Sequence, residues 1–399
     1  MMHIPGSRTA RHFVRRFITW PLIDAWYSFR SAQSGVGKSD QIASAGHVVI
    51  DGSQALSQPV WVHLIKECSE QSSPFFSDNL VSNESSYLQA AETLESAPKG
   101  LAYIGAGPEQ NFSYIAMVEP SFAFIVDCRR DNLTLHLLYK ALFEEANTRA
   151  EWLSLLFGRV YNPKIETEAG TSVEPLFDRI FLQKSDDSTF AESHMRLQRR
   201  LNGLSGMRSF LLDFRALKRF HWRFFRQGLE TTFELHTPNR QSYPTLRSLL
   251  LARTSDGREG SFLATAKAYE SVRRLHLENR VIPVVGDFTG HKAFTKISEF
   301  LRQRGLSVGV VYASNVEQMV WEQRRWRHWV RNLSTLPVAP EALVVRTYID
   351  QGRAHPQQMV GHRTTTLVRP VLELLEQQRR RPYQSHWDLV ARKPLFGPG

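Results

Sequence analysis

Four short apolar runs alternate along the chain with segments in which apolar residues recur every three or four positions. Short runs that end at glycine or polar residues are typical of strands buried on both faces, and the three-to-four spacing is typical of helices. The runs cover residues 101–104, 122–126, 281–285 and 308–311. This alternation predicts an α/β fold with an open, mostly parallel sheet and helices on both faces.

The spacing of the runs divides the chain into a central domain and two extensions. We place a basic N-terminal extension at 1–55, the domain at 56–335 and a C-terminal extension at 336–399. The second and third runs are far apart, so we predict a large helical insertion between them, at about 160–275. Its first part, 161–190, is polar and lacks a helical period, which predicts irregular structure.

The first run leads into a glycine turn. Gly105 and Gly107 allow a sharp turn and bring backbone N–H groups close to a ligand. Pro108 suits the start of a helix, which continues from Asn111. The second run ends at Asp127, 22 residues after Gly105. Because a ribose-binding carboxylate follows such a turn by roughly 20 residues, the segment predicts a nucleotide-binding βαβ unit.

Two features limit this interpretation. Gln110 stands where a dinucleotide fingerprint has its third glycine, so close approach of helix and strand is not specified and a pyrophosphate site is disfavoured. An ordinary tight turn after a buried strand is the alternative for Gly105 and Gly107.

Polar residues also follow the third and fourth runs. Asp287 follows the third, and Tyr312, Ser314, Asn315 and Glu317 follow the fourth. Because ligands of open α/β sheets bind beyond the carboxyl ends of the strands, we expect these residues to meet at one edge. The alternative for Asp287 and Asn315 is that each caps the helix that follows it.

Turn-forming and capping residues cluster at 72–86. They include Asp78, Asn79, Asn83 and Glu84, and they precede a helical segment at 87–94. The pattern predicts a shaped loop that feeds this helix.

At this point four segments carry a resemblance: FFSDNLVSNE, YIGAGPEQNFSYIAMVEPSFAFIVDCRRDN, VVGDFTG and VVYASNVEQ. Together they resemble a bacterial family of uncharacterised proteins with a Rossmann-like fold similar to that of class I S-adenosylmethionine-dependent methyltransferases. The resemblance spans roughly 75–321, although Tyr103 replaces the acid usual before the glycine turn. It implies S-adenosylmethionine as cofactor and assigns its binding to Gly105, Gly107, Pro108, Asn111, Asp127, Asp287 and Ser314.

The resemblance also implies roles for these positions. Gly105 and Gly107 would border the methionine end of the cofactor, Asp127 would bind the ribose hydroxyls, and Asp287 would lie near the adenine. Ser314 with Asn315 would face the methyl acceptor.

Methyl transfer needs in-line positioning of the acceptor, and a base only where the acceptor must lose a proton. Candidates for that base are Asp78, Glu84, Tyr312 and Glu317. We expect catalytic groups among Asn315, Glu317 and Tyr312, and substrate contacts from Asp78, Asn79, Asn83 and Glu84.

Charge and composition narrow the class of protein. The net charge is +11, but the excess lies in separate basic clusters, including the arginine- and aromatic-rich 197–227, which we interpret as a helix with a core face and a solvated rim. Nucleic acid is therefore a disfavoured partner, and a small-molecule substrate is expected. Only two cysteines occur, without metal-site spacing, so we expect no metal and a reducing, cytoplasmic location.

The N-terminal extension contains two further patterns. Residues 11–30 form an amphipathic, arginine-rich segment that suits contact with an anionic membrane surface or packing on its own domain. Residues 32–39 match a relaxed phosphate-loop pattern, but no buried strand precedes them, so we interpret them as a linker.

The leading hypothesis is an S-adenosylmethionine-dependent methyltransferase, or a methyltransferase-like enzyme, that acts on a small molecule. The alternatives are an NAD-type oxidoreductase and a non-catalytic protein that binds a nucleotide-like ligand.

Overall fold

The computed structural model describes residues 55–168, 170, 172–204, 212–237 and 241–392. Apart from residue 55, the predicted N-terminal extension lies outside these residues, and so do its amphipathic and phosphate-loop-like segments. The described residues belong to one compact unit.

Eight strands and sixteen α-helices follow one another along the described part of the chain. The strands are β1 (Ser77–Asp78), β2 (Ala102–Gly105), β3 (Ala123–Asp127), β4 (Glu234–Leu235), β5 (Val281–Val285), β6 (Val308–Ser314), β7 (Val338–Ile349) and β8 (Thr364–Pro370). The helices are α1 (Gln58–Cys68), α2 (Ala91–Glu95), α3 (Gln110–Val118), α4 (Arg130–Glu145), α5 (Arg149–Leu156), α6 (Lys164–Glu168), α7 (Val173–Phe181), α8 (Asp187–Asn202), α9 (Phe214–Gln227), α10 (Leu246–Leu250), α11 (Ala266–Leu277), α12 (Ala293–Gln303), α13 (Val316–Glu322), α14 (Trp326–Thr335), α15 (Val371–Arg380) and α16 (His386–Ala391). Two short 3₁₀ helices lie at Tyr87–Ala90 and Gly228–Glu230.

Six strands form the main sheet, in the order β5-β3-β2-β6-β7-β8. All neighbouring pairs are parallel except β7 and β8, which are antiparallel. The four apolar runs form β2, β3, β5 and β6, and these strands are buried along almost their whole length. The prediction of an α/β fold with a mostly parallel sheet is therefore confirmed. The strand order reverses between β2 and β6.

Strand β3 shows that the sheet is covered on both faces. Phe122, just before the strand, and Phe124 both pack edge-on against Phe300 of α12, at centroid distances of 5.3 and 5.7 Å. Alternate residues of a strand point to opposite faces. Ala123 and Ile125 therefore face away from α12, and both are fully buried. Two buried faces explain why the run is apolar throughout instead of alternating.

The helical layer beside α3 is organised around one aromatic ring. The ring of Phe112 meets four rings edge to face at 5.2 to 5.5 Å: those of Tyr139, Phe143, Phe262 and His276. These residues lie on α4, on α11 and just before α11. Edge-to-face pairs are a favourable arrangement of aromatic rings. The contacts join α3 to helices from the insertion.

The large helical insertion predicted at about 160–275 is confirmed, since α6 to α11 lie between Lys164 and Leu277, in the stretch between β3 and β5. The prediction that 161–190 is irregular was wrong, because α6, α7 and the start of α8 lie there. Helix α7 buries Val173, Leu176, Phe177 and Ile180, which recur at helical spacing. The polar residues around this short helix make its apolar pattern hard to recognise in the sequence. In α9 the helical interpretation is confirmed, with Phe220 and Phe224 among its buried residues.

The segment placed in a C-terminal extension completes the sheet. Strand β7 pairs with β6, from the pair Val308–Val338 to the pair Ser314–Arg346. Strand β8 pairs with the other side of β7. The boundary placed after residue 335 therefore lies within the fold. The signal for β7 was the apolar stretch around 342–349, which Arg346 interrupts.

In the part of the chain that the structure describes, no helix has both the length and the apolar character needed to cross a membrane.

Candidate functional site

The carboxyl ends of the parallel strands meet at one edge, as predicted, and residues 73–84 lie across this edge. We call residues 73–84 the crossing segment. The N–H of Ser73 donates to the carbonyl of Cys128 after β3 (2.9 Å), and the N–H of Ser82 donates to Glu109 after β2 (3.2 Å). At the far end of the segment, the carboxylate of Glu84 accepts a hydrogen bond from Ser314, the last residue of β6.

The glycine turn after β2 is held by the side chain of Asn111. Its Nδ2 donates to the carbonyls of Ala106 and Pro108 at 2.9 and 2.8 Å, and its Oδ1 accepts from the hydroxyl of Tyr103 at 2.8 Å. A Cβ on Gly105 would lie 1.9 Å from Asn111 Oδ1 and 2.6 Å from a Tyr103 ring carbon. The Tyr103–Asn111 hydrogen bond alone therefore explains the glycine at 105.

Gly107 differs from Gly105. Its φ of +82° lies in the left-handed region, and a Cβ at this position would meet no atom within 4 Å. The residue is nevertheless buried, and its carbonyl lies 2.9 Å from Nε2 of His136 on α4. Pro108 is buried as well. Open space beside a buried glycine is the feature of this turn that a ligand would use.

Asp127 ends β3 and is bound by its neighbour Arg129. The guanidinium donates through Nε to Oδ1 (2.9 Å) and through Nη2 to Oδ2 (2.7 Å), and the backbone N–H of Arg129 adds a third bond. The carboxylate stays partly exposed. Burial, reinforced by the charge of Asp127, raises the pKa of the Cys128 thiol to about 12, so this thiol is not a nucleophile near neutral pH.

Asp287 and Asn315 do not act as helix caps. Asp287 Oδ1 accepts two bonds from Thr289, at 2.7 Å each, and Oδ2 pairs with Arg325 at 2.7 Å. Helix α12 starts only at Ala293. Asn315 precedes α13 but makes no side-chain cap bond. Both side chains lie at the carboxyl edge, as expected.

Glu84 is the most densely bonded acid at this edge. It is fully buried, and its Oε2 accepts bonds from Tyr312 (2.8 Å), Thr347 (2.5 Å) and Gln110 (3.3 Å). Its Oε1 accepts a bond from Ser314. These donors are neutral, and no ion pair to Glu84 occurs among the described residues. Burial outweighs the four bonds and raises the pKa of Glu84 above its ordinary value of 4.5.

Tyr312 serves this cluster as a donor. Its hydroxyl donates to Glu84 and accepts a bond from Gln110 Nε2 at 2.8 Å. Burial and the charge of Glu84 raise the pKa of Tyr312 well above 10. A phenol that holds its proton so firmly is a poor base, so we interpret Tyr312 as a group that orients Glu84.

Glu317, another candidate base, lies in the core and not at the edge. Its side chain is 1% exposed, and it pairs with Arg346, itself 2% exposed, at 2.8 Å. Oε1 accepts from the indole of Trp329 at 2.8 Å. Because the pair joins α13 to β7, we interpret Glu317 as structural.

Glu109 is a further buried acid beside the turn. Its Oε1 accepts the N–H of Ser82, and its Oε2 has no hydrogen-bond partner among the described residues. Burial raises the pKa of Glu109 to about 7.

The crossing segment separates two cavities. The smaller, about 200 Å³, lies beyond β3 at the start of α4. Asp78, Asn79, Arg129 and Asn132 line it, and Asp78 also pairs with Arg223 and His236 at 3.2 and 3.0 Å.

The larger cavity, about 590 Å³, lies beyond β6 and β7, and we call it the cleft. Its polar lining comes mainly from carboxamides, including Asn79, Asn83 and Asn315. Four aromatic side chains contribute the apolar part: Phe75, Phe76, Phe233 and Tyr243. The structure thus brings Asn79, Asn83 and Asn315 to the cleft, and Ser314 and Glu84 lie next to its lining residues Asn315 and Asn83. Gly107 and Asp127 line neither of the two cavities.

Sequence reasoning did not identify Thr347, Gln110 or the aromatic wall of the cleft as parts of the site. Thr347 lies on β7, which was not predicted, and Phe233 lies in the insertion. Gln110 was noted only as a missing glycine. The signal for Thr347 was the apolar stretch around it.

Residues 79–209 and 218–393 match a family described as a domain of unknown function, DUF7790. The match covers most of the chain, which therefore belongs to this family. Among curated proteins, none matches it.

The two glycines of the turn give a matched pair of variants. We expect Gly105→Ala to cost about 3 kcal/mol, because the methyl group displaces the Tyr103–Asn111 bond. Gly107→Ala should cost only about 1–2 kcal/mol, the strain of a left-handed alanine. Urea denaturation of both variants measures the two losses in unfolding free energy. A loss for Gly107→Ala equal to or larger than that for Gly105→Ala would contradict the account of the turn.

The structural role of Glu317 is tested by removing one partner of its ion pair. Glu317→Ala leaves Arg346 buried without a counter-charge, and we expect a loss of about 3–5 kcal/mol in unfolding free energy. The double variant Glu317→Leu with Arg346→Met should recover most of it. The exposed Glu322→Ala on the same helix is the control. If Glu317→Ala were as stable as this control, Glu317 would not be structural.

Proposed function

We propose that this protein is an S-adenosylmethionine-dependent methyltransferase, or a methyltransferase-like enzyme, with a Rossmann-like fold, that acts on a small molecule. The observation that carries the proposal is the reversal of strand order between β2 and β6, with the glycine turn at the end of β2 and Asp127 at the end of β3. Numbered along the chain, the six strands have the order 3-2-1-4-5-6, as in doubly wound nucleotide-binding sheets, which bind ligands at this switch point.

The residues present fit such a cofactor at two places. The open space beside the buried Gly107 leaves room for a ligand to approach the backbone. The carboxylate of Asp127 is partly exposed and, although paired with Arg129, has lone pairs that can accept bonds from a diol. When bound, the cofactor supplies an electrophilic methyl group.

The smaller cavity must enlarge before it can hold a cofactor. At about 200 Å³ it is below the roughly 300–1,000 Å³ of typical small-molecule sites. Because neither Gly107 nor Asp127 lines this cavity, we expect binding to include an outward shift of residues 73–82 of the crossing segment, while Glu84 stays bonded to Ser314. The N–H groups of Ser73 and Ser82 tie the segment to the ends of β3 and β2. Such closure over a bound ligand is a common device of enzymes.

An NAD-type site is a less good fit. The position of the third glycine is taken by Gln110, which is buried and bonded to Ser82, Glu84 and Tyr312. That side chain fills the space in which a pyrophosphate would meet the helix.

Calorimetry with S-adenosylmethionine, S-adenosylhomocysteine, NAD and NADP tests the proposal. We expect both S-adenosyl compounds to bind, and Asp127→Asn to weaken them at least tenfold, because it removes the negative charge and replaces one of the two acceptor oxygens for the ribose hydroxyls with an NH₂ donor. Asp178→Asn is the control, since Asp178 is exposed on α7 and lines neither cavity.

Two results would contradict the proposal. One is tight binding of NAD or NADP without either S-adenosyl compound. The other is S-adenosyl binding that Asp127→Asn leaves unchanged while thermal denaturation shows both variants folded.

A further inference from the structure

Ser314 occupies an unusual backbone position at the border of the cleft. It ends β6 next to the switch point, and α13 begins two residues later. Its φ is +52°, in the left-handed region. For a residue with a Cβ this conformation is strained and persists only where the surroundings impose it, which is common at functional sites.

Among the described residues, the hydroxyl of Ser314 is the single hydrogen-bond partner of Glu84 Oε1. The other three donors, from Tyr312, Thr347 and Gln110, converge on Oε2. Glu84 is fully buried, while Ser314 is partly exposed. A proton that enters or leaves Glu84 through Oε1 therefore passes by way of Ser314.

Glu84 is also poorly explained as a purely structural residue. A buried carboxylate without a cation is costly, and a neutral carboxamide would satisfy hydroxyl neighbours without that cost. Because burial raises the pKa of Glu84, its carboxylate takes up a proton more readily than an exposed one does. Enzymes activate a hydroxyl group by placing a base within hydrogen-bond reach of it and by orienting that base with a third group.

We propose that Ser314 is a catalytic residue of this site and that Glu84 acts through it, so that the proton of a substrate hydroxyl bound in the cleft passes to Ser314 as the proton of Ser314 passes to Glu84. The substrate class is an uncharged phenol. This inference rests on the proposed methyltransferase function.

The cleft favours a phenol on two grounds. Its lining combines aromatic rings, among them the stacked pair Phe75 and Phe76 at 4.4 Å, with carboxamides such as Asn83 and Asn315. The two charged residues of the lining, Asp350 and Arg363, have opposite signs, so the lining carries no net charge. A planar, uncharged ring suits such a lining. A phenol, with a pKa of about 10, also gives up its proton more readily than an aliphatic alcohol does.

The reaction balances without a further reactant. The phenol oxygen forms a bond to the methyl carbon of S-adenosylmethionine, the carbon–sulfur bond breaks, and its electron pair stays on sulfur. The phenol proton goes to Ser314 Oγ and the Ser314 proton to Glu84, which releases it to solvent after the methyl ether leaves.

The first test measures methyl transfer to phenol, 4-methylphenol and catechol across pH 5 to 9. We expect Ser314→Ala to lower kcat by about 100-fold or more, to raise the KM of the phenol by up to about tenfold, and to leave S-adenosylmethionine affinity unchanged. Ser314→Thr should restore part of the rate. In the wild type kcat should fall at low pH, where Glu84 is protonated, and Glu84→Gln should abolish this limb. Ser85→Ala is the control. S-adenosylmethionine binding without transfer to any of the three phenols, or a Ser314→Ala variant with full kcat, would overturn the proposal.

The second test needs no cofactor and separates failure of this inference from failure of the proposed function. Calorimetry measures binding of each phenol and of its methyl ether to the protein alone. We expect the phenols to bind at least about tenfold more tightly, because only they donate to the Ser314–Glu84 pair. Ser314→Ala and Glu84→Gln should remove the difference. Equal binding of phenols and ethers to the wild type would overturn the assignment, even where S-adenosylmethionine binds.

Discussion

The buried carboxylate of Glu84 is the interaction on which the carboxyl edge of the sheet depends. It lies at the end of the crossing segment and accepts bonds from β6, β7 and α3, through Tyr312, Ser314, Thr347 and Gln110. No other side chain described at this edge joins so many elements. Since each donor is neutral, the bonds offset the cost of burial without cancelling it. The pKa of Glu84 is raised because part of the free-energy cost of burying its charge remains.

Glu84 also determines how the space at the carboxyl edge of the sheet is divided. By holding the crossing segment over β2 and β6, Glu84 separates a small cavity beside Arg129 from the cleft beside Asn315. In the function that we propose, the two cavities would take the two ligands that a group-transfer enzyme must bring together. The segment is tied through Ser82 to Glu109, two residues after the buried Gly107, which is why we link cofactor binding to movement of the segment.

The sequence predicts those parts of the structure that local pattern determines. Strands buried on both faces, such as β3 and β5, are continuous apolar runs and were located closely. Strand β7 was missed because Arg346 interrupts its run, and the residue that neutralises Arg346, Glu317, lies on another element. The environment of Glu84 was unpredictable for the same reason. Its partners, at positions 110 to 347, meet only through the strand order.

Infrared difference spectroscopy of the wild type against Glu84→Gln tests the central claim most directly, because a protonated carboxyl has its own carbonyl band. Thermal denaturation of the variant confirms that it is folded. We predict a band specific to Glu84 that disappears on titration at a pH clearly above 4.5, the ordinary pKa of a glutamate. A Glu84 that titrates at or below that value would contradict the account, since it would then be an ordinary carboxylate stabilised in its charged form.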